Sequence, residues 1–168
     1  MHADMTTPRA PQRGFFLIEA MVAILIFALG ILGLVAMGGT AVSSQSDAQY
    51  RTDASSLADA IAGQIALSID RTGADEITRA ANKTASLAPF AHNPGGADCG
   101  AFAGGATGPG PVLDLVNRAQ SILPGATAAY QQIVIGGAGS FNRVKITLCW
   151  KTASDAAPRR HTVVTYVN

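Results

Sequence analysis

Residues 14–37 read GFFLIEAMVAILIFALGILGLVAM, an apolar run whose one charged side chain is Glu19. Its apolar part, residues 15–37, is longer than the roughly 20 residues that an α-helix needs to cross about 30 Å of hydrocarbon. Arg9 and Arg13 precede the run, and the positive-inside bias keeps such a flank in the cytoplasm. We therefore expect a single-pass inner-membrane helix with a cytoplasmic N-terminus and a periplasmic C-terminal part.

Two ordinary kinds of membrane segment explain this run less well. A cleaved secretory signal has an apolar region of roughly 7–15 residues and a small-residue cleavage site; this run is too long, and its best site, residues 39–41, is poor. A plain anchor accounts for the length but not for Glu19, because an acid within the membrane costs about 2.5–3.5 kcal/mol on insertion scales. No basic residue lies within one helical turn of Glu19, so the carboxylate needs a partner from elsewhere.

The sequence GFFLIE at residues 14–19 closely resembles the type IV prepilin motif, in which a glycine precedes an aromatic residue and a glutamate is fifth after the cleavage site. The resemblance implies that a prepilin peptidase cuts after Gly14 on the cytoplasmic side and N-methylates Phe15. It also implies that Glu19 pairs with the terminal ammonium of a neighbouring subunit. Such pairing is physically coherent, because charges moved into an apolar filament core must be paired. Phe16 departs from the commonest pattern, where threonine is frequent.

The helix is expected to continue well beyond the membrane. No proline occurs between Pro11 and Pro89, so one helix can extend from Phe15 to about Asp70. Its second half carries an apolar stripe at spacings of three and four, which predicts packing on a soluble domain. The stripe consists of Ala54, Leu57, Ile61, Ile65 and Ile69.

Four glycines, at positions 30, 33, 38 and 39, have two open interpretations. They are either points where the helix bends or melts, or small residues that allow close helix packing.

The remainder of the chain predicts an α+β domain with its sheet at the C-terminus. Residues 71–110 are loop-rich, with a helical turn or two in 75–87, and residues 111–123 have helical spacing before the Pro-Gly stop signal. Three strand-like runs then predict an antiparallel sheet of three or four strands; they cover 128–135, 141–150 and 160–168. We expect a pilin fold, in which a long N-terminal spine helix packs on this sheet. The expected divisions are a leader (1–14), a transmembrane or filament-core helix (15–41), an amphipathic spine (42–71) and a periplasmic domain (72–168).

A more specific resemblance is to the PilV family of type IV pilus minor pilins. It implies a low-abundance subunit that helps to initiate the pilus, with other minor pilins, the major pilin, the prepilin peptidase and the inner-membrane assembly platform as partners. A minor pseudopilin of the type II secretion system, similar to the GspI group, is the alternative, since that group shares the same leader. The matching residues are Tyr50, Arg51, Leu57, Ala58, Ile61, Leu123, Pro124, Gly125, Cys149 and Trp150.

The two cysteines, Cys99 and Cys149, fit one disulfide in an oxidising compartment. Their wide separation along the chain also fits two free buried thiols, which is the alternative.

Other kinds of chemistry find little support in the sequence. A net charge of +1, from 12 basic and 11 acidic residues, argues against nucleic-acid binding. His92 and His161 lack neighbours at metal-ligand spacing, and residues 104–110 lack the Lys-Ser/Thr of a phosphate loop. We expect no enzyme activity, cofactor, metal or small-molecule substrate. The basic cluster at residues 158–161 is predicted to be a solvated turn before the last strand, with contact to DNA or to an acidic partner as the alternative.

Overall fold

The protein has an α+β fold, which confirms the predicted class. The computed structural model describes residues 13–92, 99, 110–136 and 138–167. Within these residues, helices precede a three-stranded sheet, in the expected order. The elements are α1 (Arg13–Leu67), α2 (Glu76–Leu87), α3 (Gly110–Ile122), β1 (Gln131–Ile135), β2 (Arg143–Trp150) and β3 (Arg159–Tyr166).

The chain forms two compact units, divided between Ser46 and Asp47. We call them the N-terminal unit and the C-terminal unit; α1 contributes residues to both. Of the two interpretations left open for the four glycines, melting of the helix is not observed, because α1 remains helical through positions 30, 33, 38 and 39. A Cβ atom added at any of them would meet nothing within 4 Å. Their role in packing against another helix therefore stays a prediction.

The C-terminal unit is built around one hydrophobic core. All five residues of the predicted apolar stripe are buried, with Ile61 and Ile65 fully shielded from solvent. Four of them lie on α1, which confirms the helical periodicity there, whereas the helix ends at Leu67 rather than near Asp70, so Ile69 follows its end. They share the core with Val112 and Val116 of α3, with Leu87 at the end of α2, and with one face of the sheet.

The sheet is antiparallel in the order β1-β2-β3, so β2 has a partner on each side. Residues opposite one another point to the same face, and the register places Ile146 between Ile133 and Val163. The core-facing residues of β2 from Val144 to Trp150 are at most 1% exposed. Phe141 was expected to begin this alternation. It instead precedes β2 at φ 54° with 76% of its surface exposed.

Helix α2 has 12 residues, whereas the sequence predicted only a helical turn or two in this segment. Asp75 caps it, since a side-chain oxygen accepts the backbone N–H of Thr78 at 2.7 Å, which satisfies one unpaired donor of the first turn. This backbone hydrogen bond, with a smaller side-chain contribution from Thr78, lowers the pKa of Asp75 below its ordinary value of 3.8. The cap and the buried Leu87 stabilise a helix in a segment that was judged loop-rich because of the glycines and prolines that follow it.

The predicted stop signal after α3 is confirmed, because α3 ends at Ile122. The next four residues form a turn in which the backbone N–H of Ala126 donates to the carbonyl of Leu123 at 3.3 Å. Gly125 has φ +61°, which the third position of a type II turn requires. Pro124 holds the following loop in place, since its carbonyl accepts the backbone N–H of Lys151 at 2.9 Å.

Candidate functional site

The predicted processing site lies in the first turn of α1. The helix begins at Arg13, so Gly14 and Phe15 are its second and third residues. Cleavage at the Gly14–Phe15 bond stays a prediction.

Phe15 and Glu19 are four residues apart on α1 and therefore lie on the same face, one turn from each other. Both side chains are exposed, Phe15 to 79%. Glu19 forms no ion pair with any residue in the described part of the chain. A neighbouring ammonium as its partner stays a prediction.

The apolar side chains that follow are open to the surroundings. Large apolar residues between Phe15 and Met37 are from 45% exposed, at Ile31, to 79%. Among the described residues, α1 is the helix that is long and apolar enough to cross a membrane, and none of its most apolar window is buried. Uncovered apolar surface of this extent is unfavourable in water.

The two cysteines are joined in the structure, where Cys99 and Cys149 form a disulfide with a Cα–Cα distance of 5.7 Å. Both residues are almost fully buried, and Tyr130 packs against them. The bond ties Cys99 to β2 on the sheet face opposite the core, because Cys149 alternates with the core-facing Leu148 and Trp150. Formation of this bond in the cell stays a prediction.

Gln131 supports the same part of β2, and sequence reasoning missed it. Its side-chain amide donates to the carbonyl of Cys149 at 3.0 Å, and its side-chain oxygen accepts the backbone N–H of Cys149 at 3.2 Å. Gln131 is fully buried, so these bonds satisfy an amide that would otherwise destabilise the core. Glutamine is mostly exposed in proteins, so a glutamine at a strand end is expected at the surface. No local sequence pattern indicates that Gln131 is buried.

The basic cluster at 158–161 is not the predicted solvated turn. Arg159, Arg160 and His161 are the first residues of β3. Arg159 pairs with Asp155 at 2.7 Å and also with Asp47 of α1. The expectation failed because Asp155 and Pro158 resemble a turn, whereas pairing with β2 extends the strand back to Arg159.

No group of three or more His, Cys, Asp or Glu side chains within the described ranges is arranged to hold a metal ion.

Comparison with known families identifies the N-terminal segment. Residues 9–35 match the family model described as "Prokaryotic N-terminal methylation motif". This prepilin-type motif supports a type IV pilin-like or pseudopilin-like protein that is processed by a prepilin peptidase and assembles with other pilins. The motif and the apolar helix also support membrane anchoring. No curated protein and no solved structure matches the chain.

Proposed function

We propose that this chain is a minor pilin that helps to initiate and assemble a type IV pilus. The observation that carries the proposal is the match of residues 9–35 to the methylation motif, most of which lies in an exposed apolar helix. The C-terminal unit, with its own core, supplies the domain that would meet other subunits. The PilV-like residue pattern around Tyr50, Arg51 and Leu57 favours a minor pilin of that family.

Processing would convert the precursor into a subunit by removing residues 1–14. The peptidase cuts after Gly14, whose lack of a side chain fits a narrow pocket, and it methylates the new amino group of Phe15. The helix of residues 15–41 then remains as the membrane anchor, with the spine (42–71) and the globular domain (72–168) in the periplasm. Extraction of the helix into a filament replaces lipid with neighbouring helices around the same apolar surface.

Glu19 would act as the assembly carboxylate. Its charge is costly in hydrocarbon, and pairing with the terminal ammonium of another subunit offsets that cost within the filament. The partners are other minor pilins and the major pilin, brought together at the inner-membrane assembly platform. The role is structural, without nucleic acid or a small-molecule substrate.

The processing step is tested by replacing Gly14 with valine in full-length protein. The precursor should remain uncut, whereas wild-type protein should yield a mature chain whose first residue is N-methyl-Phe15 by mass spectrometry. Gly38→Val is the matched control, since it places the same side chain elsewhere on α1, where nothing lies within 4 Å of an added Cβ. Normal maturation of Gly14→Val would refute the prepilin assignment.

The assembly step is tested by Glu19→Val and by deletion of the gene. Glu19→Val should insert into the membrane at normal levels but fail to restore pili to a deletion strain. The deletion itself should reduce surface pili without stopping synthesis of the major pilin. Normal pili together with failed protein secretion would assign the chain to the type II secretion pseudopilus instead.

A further inference from the structure

The two edges of the sheet differ in what pairs with them. On the β1 edge, the N–H of Ile133 donates to the carbonyl of His92 at 2.9 Å, and its carbonyl accepts the N–H of His92 at 3.1 Å. Strand β3 forms the opposite edge and pairs with β2 along its whole length. Among the described residues, no backbone group bonds to the other side of β3. An open edge of this kind presents a row of donors and acceptors to other chains.

The strand register identifies the backbone groups that face this open side. Residues opposite one another in an antiparallel ladder alternate between hydrogen-bonded and non-hydrogen-bonded pairs. The N–H of Val167 donates to the carbonyl of Asn142 at 3.2 Å, and these two residues continue the β2–β3 register by one step. Counting back from this bonded pair, every second residue of β3 bonds to β2, and the others direct both backbone groups outward. The outward residues are Arg160, Thr162, Val164 and Tyr166.

The side chains of these four residues lie on the sheet face opposite the core. They alternate with Val163, which packs against the core. All four are exposed, and Val164 and Tyr166 leave 47% and 55% of their surface open. A strand added beside β3 would therefore gain apolar cross-strand contacts as well as main-chain hydrogen bonds.

The charge on this outer face specifies the kind of strand that fits. The three strands contain no acidic residue. Arg143 and Lys145 of β2 lie opposite Tyr166 and Val164, and Arg160 lies further along β3 on the same face. None of these three cations forms an ion pair with a described residue. A second copy of β3 would bring the same cations onto one continuous face, where like charges are unfavourable, whereas an acidic strand would neutralise them.

We propose that the open edge of β3 binds an extended acidic segment of another polypeptide, which adds a fourth strand to the sheet. The outward backbone groups supply the hydrogen bonds, and alternate side chains of the segment select it. Acidic side chains lie beside Arg160 and Arg143, and apolar ones lie beside Val164. The assignment goes beyond the filament role and does not depend on it, since none of these residues belongs to the processing segment.

The test measures amide hydrogen exchange in the full-length protein in detergent micelles. The probe is acetyl-Glu-Thr-Val-Thr-Val-Thr-Glu-amide, whose side chains follow the same order in both directions, so the direction of the added strand need not be assumed. In the free protein, the outward amides of Thr162 and Val164 should exchange faster than those of His161 and Val163, which bond to β2. Saturating peptide should slow exchange at Thr162 and Val164 about tenfold or more, because their N–H groups become hydrogen-bonded.

Two control peptides separate the contributions of charge and backbone. Replacing both glutamates with lysine keeps the strand pattern but reverses the charge, and this peptide should bind much more weakly. N-methylation of both valines removes the N–H groups that donate to the carbonyls of β3, and this peptide should give no protection. Equal protection by the lysine peptide would overturn the acidic assignment, and equal protection by the N-methylated peptide would overturn strand addition.

Variants of the protein test the same edge. Val164→Pro removes an outward N–H without removing a bond to β2, so it should abolish peptide protection. Arg160→Gln should weaken the peptide affinity about threefold, as expected for the loss of one exposed ion pair. Arg118→Gln is the matched control, an exposed arginine on α3, and should bind as the wild type does.

Three results would overturn the proposal outright. They are slow exchange of the outward amides in the free protein, no slowing with the glutamate peptide, and unchanged affinity in Arg160→Gln. Self-association of the free protein that Val164→Pro abolishes would assign the edge to a second copy of this chain instead.

Discussion

Gly125→Ala should destabilise the C-terminal unit strongly, although it adds only one methyl group. Gly125 has φ +61°, and a side chain in this left-handed conformation costs about 1–2 kcal/mol. Its Cβ would also come within 3.0 Å of the carbonyl oxygen of Lys151, closer than real Cβ contacts. Lys151 cannot move away freely, because its N–H donates to the carbonyl of Pro124 at 2.9 Å. Overpacking of this kind costs about 1–3 kcal/mol, so we expect a total loss of about 2–5 kcal/mol.

The assay is thermal or denaturant unfolding of the full-length protein in detergent, followed by the fluorescence of the buried Trp150. Gly63→Ala is the matched control, since Gly63 is exposed on α1 and has nothing within 4 Å of an added Cβ. That change should stabilise the unit by about 0.5–1 kcal/mol, because glycine inside a helix is unfavourable relative to alanine. Equal stability of Gly125→Ala and wild type would refute the reasoning, as would a large loss in Gly63→Ala.

Three further predictions concern the same unit. Ile61→Ala should lower the free energy of unfolding by about 2–5 kcal/mol, because it opens a cavity in the core. Leu67→Ala, at an 84% exposed position, should change it by less than about 0.5 kcal/mol. If denaturant titrations gave similar losses for the two variants, the assignment of the buried helix face would be wrong. Reduction of the Cys99–Cys149 bond, which joins residues 50 apart in sequence, should lower the free energy of unfolding by about 4 kcal/mol in the chain-entropy model. A thiol titration that finds two free thiols without reductant would refute the bond. Asp75 has a lowered pKa in the folded state, so its stabilising effect is complete above its ordinary pKa of 3.8 and is lost as the pH falls through the lower folded value. Asp75→Asn should keep the helix cap but lose this part of the acid sensitivity, and an unchanged pH profile of stability would count against the cap.

Much of the fold followed from patterns that are local in the chain. The stripe from Ala54 to Ile69 predicted the buried face of α1 because helical spacing alone brings those residues together. The Pro124-Gly125 pair predicted where α3 ends, because neither residue continues a helix. The class and the order of elements were correct for the same reason.

Errors arose where neighbours in space, rather than in sequence, determine the outcome. Arg159 looked like part of a turn, but it is held in β3 by pairing with Trp150 and by ion pairs with Asp47 and Asp155. The sequence predicted only a turn or two of the 12-residue α2, because the glycines and prolines beyond its end made the whole segment look like a loop.

The processing segment could be predicted from the sequence alone, because a peptidase recognises a short run of adjacent residues and membrane insertion depends on the length of an apolar run. Gly14, Phe15 and Glu19 could therefore be named before any coordinates. The ion pair between Asp47 and Arg159 is different in kind, since the two residues lie far apart in the chain and come together only when the C-terminal unit folds. Burial, too, is a property of the packed domain, so only the tertiary structure could reveal that Trp150 is buried, with no acceptor for its indole N–H among the described residues.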